Sequence, residues 1–182
     1  MKDPHNLLEA HKRLRKGGGR RFQEVSLNRA IVVLTVAAWQ AFAQDLVTEI
    51  LTTLEVPTGH PARDTYKIMS TSAKRARFLF STPNAENTQG LLMNVGFDPW
   101  PHWTWQLRRW HFSQARVRET MNQWLQVRHA IAHGHDDLPD VAVLSKLPDG
   151  SRTLRRSDAE ACMTFFTRAV AATTKGAIDE FA

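Results

Sequence analysis

The chain has 182 residues, 42% of them hydrophobic, and this size predicts one domain with a sizeable core rather than two domains. A formal net charge of +6 and a pI of about 10.0 favour an anionic partner, with nucleic acid ahead of a membrane surface. The single cysteine, Cys162, excludes an internal disulfide framework and a zinc site built from several cysteines, and its helix-like setting predicts a buried, inert thiol.

The sequence does not predict a secretion segment or a membrane-spanning segment. Residues 1–5 lack the apolar run of a signal peptide. The most apolar stretch, residues 30–43, is shorter than the roughly 20 residues that cross a bilayer. We therefore expect a soluble, cytoplasmic protein without a membrane partner.

Six segments carry the three- and four-residue spacing of apolar side chains that is typical of amphipathic helices. They are predicted at 5–16, 26–54, 62–80, 82–96, 112–133 and from Ser157 onwards. Apolar pieces at 141–144 and 152–154, with an Asp149-Gly150 turn between them, predict a short β-hairpin. The sequence thus predicts an all-α fold, a helical bundle with this one hairpin, as a single domain over 1–182.

The first 21 residues predict a basic N-terminal helix followed by a glycine-rich arm. Gly17-Gly18-Gly19 stops the helix, and Arg20 and Arg21 belong to the most basic run of the chain. Such an arm either tracks the phosphates of a nucleic acid or is only a solvated segment.

The helix predicted at 26–54 is apolar nearly all round in its first half, which predicts a central position in the core. Asp45 continues its apolar stripe one step beyond Ala41. A carboxylate there could face a cation such as Arg128 and join a catalytic site. The alternative is that the stripe has rotated and Asp45 is exposed.

Four of the six tryptophans lie within residues 97–110, together with two arginines. Tryptophan interleaved with arginine is typical of a base-stacking surface, where stacking contributes about 1–3 kcal/mol per base. The candidate RNA-binding residues are Trp103, Trp105, Arg108 and Arg109, with Arg20 and Arg21 of the arm. The alternative is that the prolines and tryptophans pack a long loop onto the helices.

The helix predicted at 112–133, for which Gly134 suits the C-terminal cap, carries an arginine where a core residue is expected. Met121 and Leu125 belong to its apolar stripe, and Arg128 falls near the middle of that stripe. Arginine is almost never fully buried without a partner. The alternatives are a structural ion pair with another helix, and a site at a helix end or a subunit interface.

His129 and His133 share the polar stripe of the same helix, four residues apart. That spacing lets two imidazoles bind one zinc ion, with His135 as a further donor. A zinc protease pattern needs Glu directly after the first His, whereas this chain has Ala130. We therefore expect no metal or other cofactor, and a different metal site at the three histidines is the alternative.

Metal-free RNA cleavage needs a base, an acid and a cation that stabilises the phosphorane charge. Histidine suits proton transfer near neutral pH, and the arginine fork binds two phosphate oxygens. Arg128 and His133 supply one of each, but they lie roughly 140° apart around a helix. A long arginine side chain, a frayed helix end or a second subunit would close the gap.

The segment 128–134, Arg-His-Ala-Ile-Ala-His-Gly, resembles the Arg-(four to six residues)-His motif of the HEPN superfamily. The polar His129 fits the position after the arginine. The ending Ala132-His133-Gly134 resembles the RiboL-PSP-HEPN branch in particular, and the helix at 26–54 is similar to the early helix of that branch.

The resemblance implies an α-helical bundle in which two chains pair so that both motifs face one cleft. It implies a metal-independent endoribonuclease that leaves a 2′,3′-cyclic phosphate, acts as a toxin or in antiviral defence, and has an antitoxin or defence partner. Arg128 and His133 carry over as catalytic residues, and His129 as a supporting one. The rival expectation is a non-catalytic HEPN module that binds RNA or a protein partner, such as one half of a toxin–antitoxin system.

Overall fold

The computed structural model describes residues 2–13, 21–107 and 110–181. Helices make up 68% of the structure, so the predicted all-α class is confirmed. The helices of the described residues are α1 (Lys2–Arg13), α2 (Arg21–Thr53), α3 (Arg63–Leu79), α4 (Ala85–Met93), α5 (Gln114–Ala132) and α6 (Arg156–Phe181). The short strands are β1 (Trp105–Leu107), β2 (Trp110–Phe112), β3 (Ser145–Lys146) and β4 (Arg152–Thr153).

Each helix predicted from the sequence is present, with ends that differ by a few residues. Helix α4 begins at Ala85 because the Asn84 side chain accepts a hydrogen bond from the backbone N–H of Asn87 at 2.7 Å and so caps the helix. At the start of α6 the Asp158 carboxylate accepts the backbone N–H of Arg155 at 2.8 Å, which is the reciprocal bond of a capping box.

The predicted hairpin is present, but its first strand is β3 and not residues 141–144. Val141 and Leu144 are buried. The apolar character of residues 141–144 therefore reflects packing in the protein interior and not a strand. A second hairpin, β1–β2, lies in the Trp-rich stretch, for which no strand was predicted, and its register pairs Trp105 with Phe112.

Two compact units can be distinguished within the chain. Unit 1 comprises Met1–Ala38 and Glu119–Arg168, and unit 2 comprises Trp39–Arg118 and Ala169–Ala182. Helices α2, α5 and α6 contribute residues to both units. The single domain predicted over 1–182 stays a prediction.

Unit 1 buries apolar side chains from α2, α5 and α6. Ile31, Val36, Met121, Trp124 and Phe166 are completely shielded or nearly so. Fully burying a large apolar side chain contributes about 1.5–3 kcal/mol. This burial fixes the position of α5, whose C-terminal end holds the candidate site.

Unit 2 has a core cluster that draws on α2, α3, α4 and α6. Val47, Ala73, Leu92, Phe97 and Ala177 belong to it. The cluster joins helices that are far apart in sequence, so unit 2 is held by packing rather than by local helix stability alone.

By length and composition alone, the part of α2 from Glu24 to Thr53 is long and apolar enough to cross a membrane. From the sequence, only the shorter apolar stretch at 30–43 was considered, and no segment able to cross a membrane was predicted. The α2 side chains Ile31, Val32 and Trp39 are completely buried within the chain. These three side chains pack as those of a core helix do, while 39% of the candidate window as a whole is buried. The cytoplasmic location stays a prediction.

Candidate functional site

Helix α5 ends in a Schellman motif at Gly134. The backbone N–H of Gly134 donates to Ile131 O at 3.1 Å, and that of His135 donates to Ala130 O at 2.9 Å. Gly134 adopts a φ of 71°, the left-handed conformation that glycine accepts most readily. The predicted C-terminal cap is confirmed, and it leaves His133 as the last residue before the chain reverses.

Three histidine rings follow one another around this helix end. The ring centroids of His129 and His133 are 6.3 Å apart, and those of His133 and His135 are 6.1 Å apart. His133 and His135 are exposed, whereas His129 is half-buried. Two imidazoles are therefore open to solvent at one place, where they can exchange protons with a bound substrate.

The third imidazole differs from the other two in its electrostatic setting. Burial lowers the pKa of His129 below its usual range, and the charges of Arg128 and His133 lower it further. The neutral ring is therefore favoured near neutral pH. A neutral imidazole can accept a proton, which is the role of a general base.

Arg128 lies half-buried on α5, near the buried Met121, Trp124 and Leu125 of the same helix. Its Nε atom is buried and has no hydrogen-bond partner within residues 2–13, 21–107 and 110–181. A buried donor without a hydrogen-bond partner costs about 1–3 kcal/mol of stability, and more if it belongs to a charged group. Among the described residues no acid forms an ion pair with Arg128, so the alternative of a structural ion pair has no described partner.

The structure adds Arg29 of α2, which the sequence reasoning missed. Its Nη2 donates to the backbone oxygen of Asp136 at 3.2 Å, so the side chain reaches the turn that follows α5. Its Nε is buried without a hydrogen-bond partner in the part of the chain that the structure describes. The signal was available, because Arg29 is the only charged residue between Glu24 and Asp45.

Polar contacts also attach the segment after this turn to the helices of unit 1. The Asn28 side chain donates to Leu154 O at 3.1 Å, and the Gln123 side chain accepts the backbone N–H of Val143 at 3.1 Å. These bonds come from the same two helices that carry Arg29 and Arg128. The candidate site is therefore built on helices and not on a free loop.

Asp45 is exposed on α2 and belongs to unit 2, whereas Arg128 belongs to unit 1. The exposure agrees with the alternative that the apolar stripe rotates before this position. No described contact joins Asp45 to the α5 histidines, so we leave it out of the proposed site.

The prediction that Trp103 stacks on RNA bases is wrong, because this side chain is completely buried. Its Nε1 donates to Thr173 Oγ1 at 2.9 Å, and its ring lies 6.2 Å from that of Trp39. Trp105 is half-buried, and its ring stacks on Phe112 with a centroid distance of 5.7 Å. Trp103 therefore packs inside the protein, as the alternative had it, whereas Trp105 is only partly packed against its neighbours.

Four of the predicted RNA-binding side chains lie outside the described residues. They are Arg20, Arg108, Arg109 and the side chain of Arg21. Their proposed role stays a prediction.

Cys162 is completely buried, and burial raises the pKa of its thiol well above the usual range. The predicted inert thiol is confirmed. Among the described residues, no group of three or more His, Cys, Asp or Glu side chains is placed to hold a metal ion.

No protein-family model matches the sequence, and neither a curated protein nor a solved structure matches the chain. The HEPN resemblance therefore depends on the sequence alone, on segment 128–134 and on the helix predicted at 26–54.

The electrostatic setting of His129 leads to a test by NMR. The pKa of His129, read from the chemical shifts of its ring, should lie below 6.5 in the folded protein. Replacing the neighbouring charge in Arg128→Gln should raise this pKa. The matched control is Arg116→Gln on the same helix, which should leave it unchanged because the two positions are about 20 Å apart along the helix.

The lowered pKa of His129 also determines the direction in which the stability of the fold changes with pH. Because the folded-state pKa is the lower one, the neutral His129 ring stabilises the fold above pH 6.5, and this contribution is lost as the pH falls through the folded-state pKa. A His129 pKa at or above 6.5, or an equal response to the two substitutions, would contradict this account of the site.

Proposed function

We propose that the chain is a HEPN-type endoribonuclease that cleaves RNA without a metal cofactor. The observation that carries the proposal is the Arg128 guanidinium, half-buried with an unsatisfied Nε among the described residues, next to imidazoles at the end of α5. The buried Nε–H of this guanidinium can donate to an oxygen acceptor from outside the described chain. A phosphate supplies two such oxygens in the geometry that arginine prefers.

In the proposed reaction an imidazole takes the proton of a ribose 2′-hydroxyl. The 2′-oxygen attacks the adjacent phosphorus, the bond from phosphorus to the 5′-oxygen breaks, and a protonated imidazole gives that oxygen its proton. The products are a 2′,3′-cyclic phosphate and a 5′-hydroxyl. His133, which is exposed, serves as base or acid, and His129 supports it from the half-buried side.

The arginines have separate roles in this proposal. Arg128 stabilises the extra negative charge of the phosphorane, for which a fixed cation in a partly dry site is effective. Arg29 is a positioning residue, because its bond to Asp136 O holds the turn that carries His133 and His135. Fixing this turn reduces the conformational freedom that the imidazoles would lose during reaction.

Arg128 and His133 point in directions roughly 140° apart around the helix, so one chain does not aim both at one phosphate. We propose a homodimer in which the two α5 ends face one cleft, so that Arg128 of one chain works with His133 of the other. The role we propose is that of a toxin or a defence nuclease in the cytoplasm, controlled by an antitoxin or defence partner. The second candidate is a module that binds RNA or a partner without cutting, since an unsatisfied guanidinium also suits binding alone.

A cleavage assay with labelled RNA in EDTA tests the activity. Wild-type protein should cleave, whereas His133→Ala and Arg128→Ala should each lower the rate by at least about 100-fold, because proton transfer and charge stabilisation each contribute about that much. His5→Ala, an exposed histidine of α1, is the matched control and should cleave normally. No cleavage by the wild type, or equal cleavage by His133→Ala, would sink the enzyme proposal and favour the binding module.

Mixing two inactive variants tests the shared cleft. Arg128→Ala and His133→Ala, unfolded together and refolded at equal concentrations, should give about half heterodimers. Each heterodimer keeps one intact Arg128 and one intact His133, so part of the cleavage activity should return. Mixtures that stay as inactive as the separate variants, while sedimentation shows that they exchange chains, would contradict the composite site.

A further inference from the structure

A groove lies between the last turns of α2 and helix α3, within unit 2. Its volume is about 730 Å³. Its wall carries cations and hydroxyl groups rather than apolar side chains, with Leu51 as an exception. A cavity of this size holds a small molecule or a few units of a polymer.

The groove has an excess of positive charge. Arg63, Lys67, Lys74 and Arg77 line it, against the carboxylates Glu55 and Asp64. Arg63 Nη1 lies 3.4 Å from Glu55 Oε1, so these two charges compensate each other. Lys67 and Lys74 are exposed and form no ion pair with any residue that the structure describes. Among the described residues the charges left without an ion pair are therefore those of Lys67, Lys74 and Arg77, against the single carboxylate of Asp64.

The two lysines are spaced for a linear polyanion. Lys67 and Lys74 are seven residues apart on α3, which places them two turns and about 10.5 Å apart on one face of the helix. Two lysines at this spacing can contact different phosphates of one nucleic acid strand.

The hydroxyl groups of the groove present acceptors. Thr52 Oγ1 donates to Thr48 O at 3.0 Å, Thr71 Oγ1 donates to Lys67 O at 2.8 Å, and Tyr66 Oη donates to Leu51 O at 2.9 Å. Each of these protons is used within the protein, so the oxygen lone pairs remain for an incoming donor. The 2′-hydroxyls of RNA are donors of this kind, and DNA and acidic peptide side chains lack them.

An exposed aromatic ring follows the groove on the same helix. Phe78, directly after the lining residue Arg77, is 87% exposed, and Ile68 and Leu79 of α3 are exposed as well. A ring next to a cationic groove is the arrangement by which single-stranded nucleic acids are held, with bases on the ring and phosphates on the cations.

We propose that the groove between α2 and α3 binds single-stranded RNA, with phosphates on Lys67 and Lys74 and a base stacked on Phe78. The inference rests on the proposed function only in the choice of RNA as the polyanion. Neither the cleavage chemistry nor a metal enters it.

Fluorescence anisotropy of a labelled single-stranded RNA tests the groove, in EDTA and with the full chain carrying His133→Ala so that the probe stays intact. Adding Lys67→Glu and Lys74→Glu should weaken binding at least about tenfold and reduce the steepness of its salt dependence by about 1.4. The matched control, Arg155→Glu with Arg168→Glu, reverses two exposed charges of unit 1 and should change affinity less than about threefold. Phe78→Ala should weaken binding about fivefold or more.

Circular dichroism checks the fold of each variant, and Lys67→Gln with Lys74→Gln replaces the charge reversal if that pair fails to fold. Equal losses in the groove and control variants would overturn the proposal, as would groove variants that bind the RNA as tightly as the His133→Ala parent protein. Labelled poly-glutamate, bound as tightly as RNA and with the same dependence on the lysines, would assign the groove to an acidic protein instead. Because binding is measured without cleavage, RNA binding that does not depend on the groove lysines rejects the groove and leaves the proposed nuclease untouched, and an inactive nuclease leaves the groove untouched.

Discussion

The chain reverses direction at Gly134, and this reversal fixes the geometry of the candidate site. A φ of 71° costs a residue with a β-carbon about 1–2 kcal/mol, which accounts for glycine here. The reversal begins one residue after His133 and brings the ring of His135 to 6.1 Å from it. It also presents the backbone oxygen of Asp136 to Arg29 of α2. The imidazoles are thus held by the helix end and by a second helix together.

Two guanidinium groups in unit 1, those of Arg29 and Arg128, each have a buried Nε that finds no hydrogen-bond partner among the described residues. A buried donor without a hydrogen-bond partner costs about 1–3 kcal/mol of stability. A fold selected for stability alone would pair each arginine with an acid or replace it by an apolar residue. A phosphate ligand removes this cost, and strain of this kind is characteristic of functional sites. In the proposed site the same reasoning accounts for an arginine on an apolar stripe, because a ligand or a second chain would supply the missing acceptor.

Periodicity and end signals predicted the helices well, because amphipathic spacing in α2, α3, α5 and α6 is long and consistent. The glycine cap of α5 followed from Gly134 alone. The sequence pattern did not predict the hairpin β1–β2 or the burial of Trp103, because local composition does not determine whether an aromatic ring packs in the core or lies in solvent. Arg29 could have been found as the lone charge in a long apolar stretch, yet its contact with Asp136 spans a sequence separation of 107 residues.

The central claim is that Arg128 binds an RNA phosphate, and its Nε–H resonance in a ¹⁵N-resolved NMR spectrum reports on this directly. The signal can be assigned by its loss in Arg128→Lys, and the ligand is a 2′-O-methylated RNA, which keeps its phosphates but lacks the attacking hydroxyl. The account predicts that the Arg128 signal shifts and saturates as this RNA is added. An RNA that binds the protein while the Arg128 signal stays where it was would contradict it.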